Sequence, residues 1–274
     1  MNFLKEIYHR FLLEIGPMGL TNSYILFPIK KILKRCGIGF KGYKDIDSII
    51  GTAETKRVFI ISTGPSLKLE DIQLIKNEDS ISMNTIFRLF DKTEWRPTYY
   101  VMTDHILQQK LDKDVKLDFD NYAKKNCILN VINKKISKGE NIFFIENCWL
   151  DHCVRYGKSK RFKFEKRPSL GVYDYYSATQ ECIYYAILMG YKEIYLLGAD
   201  NDYLGKKQHF SNDASVVHLS NERAVLSQNA NNYGYEYLSK IAEKYDAKIF
   251  NATRGGALEL FPRVKLEDIT NNGI

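Results

Sequence analysis

Five short polar clusters in this 274-residue chain hold the side-chain types that handle phosphates, sugars and nucleobases. The first is Thr63-Gly64-Pro65-Ser66, directly after an apolar run. A glycine there lets the backbone approach a ligand closely, and exposed amides beyond it suit a phosphate or sugar hydroxyl. It is neither a full G-x-G-x-x-G nor a G-x-x-x-x-G-K-[ST], and a Gly-Pro turn after a strand is also common punctuation. Asn84 and Asp104 can each hold a ribose or base edge, and each can equally cap a turn or helix. Gly198-Ala199-Asp200-Asn201-Asp202-Tyr203 closes another apolar run, with His209 shortly after. Asp200, Tyr203 and His209 together could neutralise a departing phosphate or shuttle a proton. His218 is a second candidate base, although a lone loop histidine is more often a solvated surface residue. The fifth cluster is Asn251 with Arg254-Gly255-Gly256, whose arginine can hold a carboxylate or phosphate or only cap a turn.

The elements that must position these clusters are short apolar strands alternating with helices. Val58–Ser62, Asp79–Met83, Thr98–Met102, Ile128–Ile132, Ile142–Ile145, Glu193–Leu197 and Lys248–Phe250 read as strands. Helical spacing runs from Ser177 to Met189 before Gly190, and again from Asn232 to Tyr245, with a further helix beginning at Leu69. The alternation implies an α/β, Rossmann-like three-layer domain with a mostly parallel sheet. All five clusters then fall at strand carboxyl ends, where such sheets bind ligands. Residues 51–274 form this domain, with 134–168, rich in lysine and aromatics, as an inserted lid or small subdomain.

Composition excludes a disordered tail, a collagen-like repeat and a coiled coil: the chain is 45% hydrophobic and 27% charged. The net charge is +7, and eight basic against three acidic residues place +5 of it in residues 1–45. There Lys5, Arg10, Lys30, Lys31, Lys34, Arg35, Lys41 and Lys44 interleave with apolar residues such as Phe11, Leu12, Ile29 and Leu33. This is not the broad basic face of a nucleic-acid binder, so no nucleic-acid partner is expected. Nor does the arm reach the roughly 18 apolar residues of a spanning helix. Residues 1–50 therefore read as an amphipathic basic arm, lying on an anionic inner-leaflet surface or packed on the domain with its lysines solvated. The five cysteines are odd in number and irregularly spaced, and no export signal is evident, which points to a reduced, cytoplasmic chain, peripheral at the inner membrane where the arm engages it. Cys148, His152 and Cys153 lack the further ligands of a zinc site, so no metal is expected.

The run I-I-S-T-G-P-S-L around Thr63, followed by A-I-L-M-G-Y-K-E-I-Y-L-L-G-A-D-N-D-Y ending at Tyr203, resembles the bacterial lipooligosaccharide sialyltransferases of glycosyltransferase family 42. R-P-T-Y-Y-V-M-T-D and N-A-T-R-G-G-A-L-E-L resemble a related broad family, which includes the motility accessory factors and the hydroxymethylpterin pyrophosphokinases. The resemblance covers about residues 57–264. It implies that a CMP-activated nonulosonic acid is the donor substrate, with no separate cofactor. Thr63, Gly64, Pro65 and Ser66 would lie against the nucleotide, Asn84 and Asp104 near the cytidine, and Ser177, Ala178 and Thr179 beneath the donor. Tyr203 and His209 would stand for the two phosphate-stabilising tyrosines. The sequence departs from the family at Thr63, Asp104, Thr179 and His209, and it has no histidine where the family's catalytic base falls, near Leu226-Ser227.

The leading expectation is an inverting, metal-independent glycosyltransferase acting on a bacterial surface glycan such as lipopolysaccharide or capsule. Gly198, Asp202, Asn251, Arg254 and Gly255 complete the expected donor site, and the reading leaves room for a homo-oligomer. Two alternatives stand beside it. One is a pterin-type diphosphokinase in which Asp104, Asp200 and Asp202 hold Mg²⁺ between phosphates. The other is a non-catalytic nucleotide- or glycan-binding partner in glycan assembly.

Overall fold

The structure is a computed structural model, and it describes residues 27–36, 45–148, 163–173, 175–203 and 221–271. Seven parallel strands make the main sheet: β1 (Arg57–Ile61), β2 (Ser80–Met83), β3 (Tyr99–Met102), β4 (Asn126–Asn130), β5 (Ile142–Ile145), β8 (Glu193–Leu197) and β9 (Lys248–Asn251). Their order is β5-β4-β3-β2-β1-β8-β9. The chain thus steps outward from β1 to β5, then returns to lay β8 on the other side of β1. That reversal between β1 and β8 is the switch point at which open parallel sheets form a ligand crevice. A two-stranded parallel pair, β6 (Asn147–Cys148) and β7 (Val172–Tyr173), stands beside the sheet.

The central strands carry continuous apolar runs because both of their faces are covered. Val58, Phe59, Ile60 and Ile61 are all fully buried, and they alternate between two cores. Val58 and Ile60 face a core built on the helices α4 (Ala178–Met189) and α5 (Asn221–Lys244). Phe59 and Ile61 face the opposite core, packed by α2 (Leu69–Leu74), α3 (His105–Asp114) and α6 (Leu266–Asn271). Every residue of α4 from Thr179 to Met189 is buried, so this helix is apolar around most of its circumference. Ser177 starts it, accepting from the Gln180 amide at 3.4 Å, and Gly190 stops it.

Several boundaries differ from the sequence expectation. β4 ends at Asn130 because that side chain accepts the Ile132 amide at 3.0 Å and turns the chain into a 3-10 turn over Val131–Asn133. α5 begins at Asn221 rather than Asn232. Its first half shows little apolar period, since Ala224 and Asn231 fill its buried positions. Ile46 and Ile49, expected in the arm, belong to the core, so the body begins before residue 51. The range expected as a lid contains the edge strand β5, while residues 149–162 of it lie outside the described residues.

Of the arm, residues 27–36 are described, and they form α1 (Phe27–Arg35). Its lysines turn onto the body rather than standing free in solvent. Lys30 and Lys34 pair with Glu146 at 2.5 and 3.4 Å, and Lys31 pairs with Glu165. Ile29, Ile32 and Leu33 are exposed instead.

Candidate functional site

A crevice of about 230 Å³ opens at the switch point. The strands contribute residues at or just past their carboxyl ends, and two helices complete the lining. β1 delivers Ser62, Thr63 and Gly64, β2 delivers Met83 and Asn84, and β8 delivers Gly198 through Tyr203. Ser177, Ala178 and Thr179 form the amino terminus of α4, and Tyr235 reaches in from α5. The structure therefore brings together ten of the expected residues: Thr63, Gly64, Asn84, Ser177, Ala178, Thr179, Gly198, Asp200, Asp202 and Tyr203.

Gly64 is required by close approach. A Cβ there would lie 2.0 Å from Asp200 Oδ2 and 2.3 Å from the Gly198 carbonyl. The gap lets the β1 and β8 loops touch, with the Gly64 amide donating to the Gly198 carbonyl at 2.9 Å. Asp200 is buried and accepts from Ser66 Oγ at 2.9 Å and from the Ser66 amide at 3.3 Å. Its carboxylate thus clamps the first loop against β8. Ser66 acts through that clamp rather than by lining the crevice. Asp202, by contrast, is exposed at the rim.

A chain of hydroxyls floors the crevice. Ser62 Oγ and Thr179 Oγ1 are 2.8 Å apart, and Tyr235 lines the crevice beside Ser177 and Thr179. Burial pushes the Tyr235 phenol well above its ordinary value, so it remains protonated. Tyr203 accepts from Asn231 Nδ2 at 3.1 Å. Asn84 and Asn201 both adopt left-handed backbone conformations, φ 48° and 50°. Asparagine tolerates that region better than other non-glycine residues, and such strain concentrates at functional sites. The Tyr100 hydroxyl donates to the Asn84 carbonyl and holds that turn in place.

Other expected site residues serve the scaffold. Asp104 caps α3, accepting from the amides of Ile106 at 3.0 Å and Leu107 at 2.9 Å. Arg254 is engaged by Asp71 at 2.7 Å and Glu267 at 2.5 Å, so its charge is already met away from the crevice. Asn251 is fully buried, donating to the Leu258 carbonyl at 2.7 Å and accepting the Thr253 amide at 3.0 Å. The Gly255 carbonyl receives Arg263 Nη1 at 3.1 Å. Pro65 lies in the first loop without lining the crevice. His209 and His218 lie outside the described residues.

Sequence reasoning missed Ser62, Met83, Tyr176 and Tyr235 among the lining residues. Tyr235 and Asn231 stand four apart on α5, a spacing that puts both on one face. Their burial becomes visible only once α5 is placed against α4. Also missed is Glu181, a 2% exposed carboxylate in the first turn of α4 that accepts the Thr103 hydroxyl.

A doubly wound, Rossmann-like parallel sheet with its crevice at the switch point defines the class of protein. Residues 33–206 match the family described as 6-hydroxymethylpterin diphosphokinase MptE-like, and the chain belongs to that family. No curated protein matches it. Among solved structures, the chain is similar to the MAf glycosyltransferase from Magnetospirillum magneticum AMB-1, with a TM-score of 0.53 and 14% identity. The match covers 93% of this chain and 39% of that one, a likeness of fold.

Proposed function

We propose that the protein is a glycosyltransferase that moves a sialic-acid-like nonulosonic acid from its CMP-activated form to a bacterial surface glycan, inverting the anomeric centre. The observation that carries this reading is the make-up of the crevice. Its described lining offers amides, hydroxyls and the amino terminus of the 12-residue α4, two carboxylates, and neither lysine nor arginine. A triphosphate without its metal would bring more negative charge against Asp200 and Asp202, with no lysine or arginine in the described lining to meet it. A CMP-activated nonulosonic acid brings two charges, one on the phosphodiester and one on the sugar carboxylate, which helix-end amides and hydroxyls can accommodate. The fold shared with a MAf glycosyltransferase supports the same reading.

In the proposed step an acceptor hydroxyl loses its proton to a base and attacks the anomeric carbon. The bond from that carbon to the phosphate oxygen breaks, and CMP departs with the electron pair. Tyr203 and the α4 amides face the charge that develops on the phosphate. The candidate bases are His218, outside the described residues, and the rim carboxylate Asp202. The basic arm is proposed to hold the enzyme at the inner membrane, where lipid-linked glycans are assembled.

The family's description favours a second reading, diphosphoryl transfer to a pterin from ATP, with Asp200 and Asp202 holding Mg²⁺. Asp104, the third carboxylate of that set, caps α3 and does not line the crevice. Among the described residues, no three His, Cys, Asp or Glu side chains gather as a metal group.

Thermal unfolding with CMP, CDP, UDP and ATP, each with and without Mg²⁺, separates the readings. CMP-selective stabilisation without Mg²⁺ is expected. Stabilisation by ATP with Mg²⁺ alone would replace the first reading with the second. No response to any nucleotide would leave a non-catalytic role in glycan assembly.

A further inference from the structure

Outside the lining itself, a buried polar assembly near the crevice joins α4 to α5. Gln180 is fully buried, and its Nε2 donates to the Asn231 carbonyl at 2.8 Å and to Asn231 Oδ1 at 3.1 Å. Asn231 is 2% exposed, and its Nδ2 donates to the Ser227 carbonyl at 2.9 Å and to Tyr203 Oη at 3.1 Å. The helices approach closely here because residue 234 is a glycine: a Cβ would lie 2.1 Å from Gln180 Oε1. Gln180 Oε1 is itself buried without a hydrogen-bond partner. Leaving a buried acceptor unmet is costly, and the amide is held in place by its two bonds to Asn231.

We propose that Asn231, oriented by Gln180, is a positioning residue that fixes the Tyr203 phenol in the crevice; this rests on the reading that the crevice holds the donor's nucleotide with Tyr203 facing its phosphate. The geometry leaves Asn231 little choice. Its acceptor is taken by Gln180, so its donor group must point away from α4, toward Ser227 and Tyr203. Tyr203 stands on the loop leaving β8, and Asn231 bonds this phenol to α5. A phenol on a loop loses rotational freedom on binding, and one already held by a buried amide has less to lose. Tyr235, one turn further along α5, reaches the same crevice, so one helix places both aromatic hydroxyls.

The test uses the full chain with Asn231→Leu, Tyr203→Phe and the double variant, and CMP as the probe. Asn231→Ala serves as the second variant should leucine disturb folding. Each single variant is expected to weaken CMP binding about tenfold, the scale of one hydrogen bond to a polar ligand. The double variant is expected to be no weaker than either single one. Losses that multiply would show that the two residues act independently and would overturn the proposal. A ligand-free readout runs in parallel: tyrosine labelled with ¹³C at Cζ, with the Tyr203 signal assigned by its absence from Tyr203→Phe. Asn231→Leu is expected to shift that signal while leaving Tyr195, across the sheet, unmoved. An unmoved Tyr203 signal also overturns the proposal. Should wild-type protein fail to bind CMP, the donor reading falls, and the Tyr203 signal alone decides the role of Asn231.

Discussion

At the scale of single residues, the crevice depends on atoms that are absent as much as on those present. Gly64→Ala would drive a methyl into the Gly198 carbonyl, 2.3 Å away, and backbone cannot rotate aside as a side chain can. A loss of about 1–3 kcal/mol in urea unfolding is expected, together with loss of CMP stabilisation. Ser66→Ala removes one bond to Asp200, keeps the shape, and should cost only about 1 kcal/mol. Equal stabilities for the two variants would mean that the loops do not meet as described. Residue chemistry also predicts thiol reactivity. Burial pushes the thiols of Cys127 and Cys182 far above their ordinary value, while Cys36 is exposed. At pH 8 a raised thiol is almost entirely protonated and hidden, and the thiolate is the nucleophile. Peptide mapping after a brief maleimide pulse should find Cys36 modified and Cys127 and Cys182 unmodified; labelling of either buried thiol in native protein would contradict the packing of α4 or β4. Gly64, Asp200 and Tyr203 were legible in the sequence because they end apolar strands. Tyr235 was not, because a tyrosine inside an amphipathic helix looks like core until the helix is placed.

Elements were legible in proportion to how completely they are buried. β1, β2, β3 and β8 announce themselves as short apolar runs because helices cover both faces. The first half of α5 is hidden for the opposite reason, since its inward positions include Ala224 and Asn231. Asp104 and Arg254 misled because the same polar types serve caps and ion pairs as readily as ligands. The fit of α5 on α4 leads to an element-scale prediction. Gly234→Ala should part the helices, although alanine is the better helix former by about 1 kcal/mol. Falling stability and weakened CMP binding in that variant would place packing above propensity here. A gain in stability would show that Gln180 can move aside. The clasp on α1 offers a second case. Glu146 and Glu165 are only 13% and 12% exposed at their side chains, so their pairs with Lys30, Lys31 and Lys34 are better shielded than surface pairs. Glu146→Gln with Glu165→Gln should speed amide exchange across residues 27–36 severalfold, as should raised salt. Unchanged exchange would mean that the lysines contribute nothing to docking the helix.

For the whole molecule, that clasp alters how a membrane contact would work. The sequence suggests that the arm's lysines meet anionic lipid, yet the three in α1 are turned onto the body, where they pair with two glutamates. The outward side of α1 carries Ile29, Ile32 and Leu33, at 46, 58 and 40% exposure, with Arg35 beyond them. Positions 29, 32 and 33 share one helical face, the spacing that lets a short helix lie in a lipid interface. No described helix is long and apolar enough to cross a bilayer. On our proposal the contact is therefore peripheral, with α1 contributing apolar area and the remaining basic residues of the arm contributing charge. Flotation with vesicles of phosphatidylglycerol and phosphatidylethanolamine separates these contributions. Deleting residues 1–45 should abolish binding. That deletion also removes the partners of Glu146 and Glu165, so Ile29→Ser with Ile32→Ser and Leu33→Ser, which keeps every lysine, is the cleaner variant. It should lower vesicle binding several-fold at both low and high salt while leaving CMP stabilisation intact. Binding that is unchanged by the serines but lost at high salt would assign the contact to charge alone. Binding by the truncated chain equal to that of the whole protein would remove the arm from the membrane altogether.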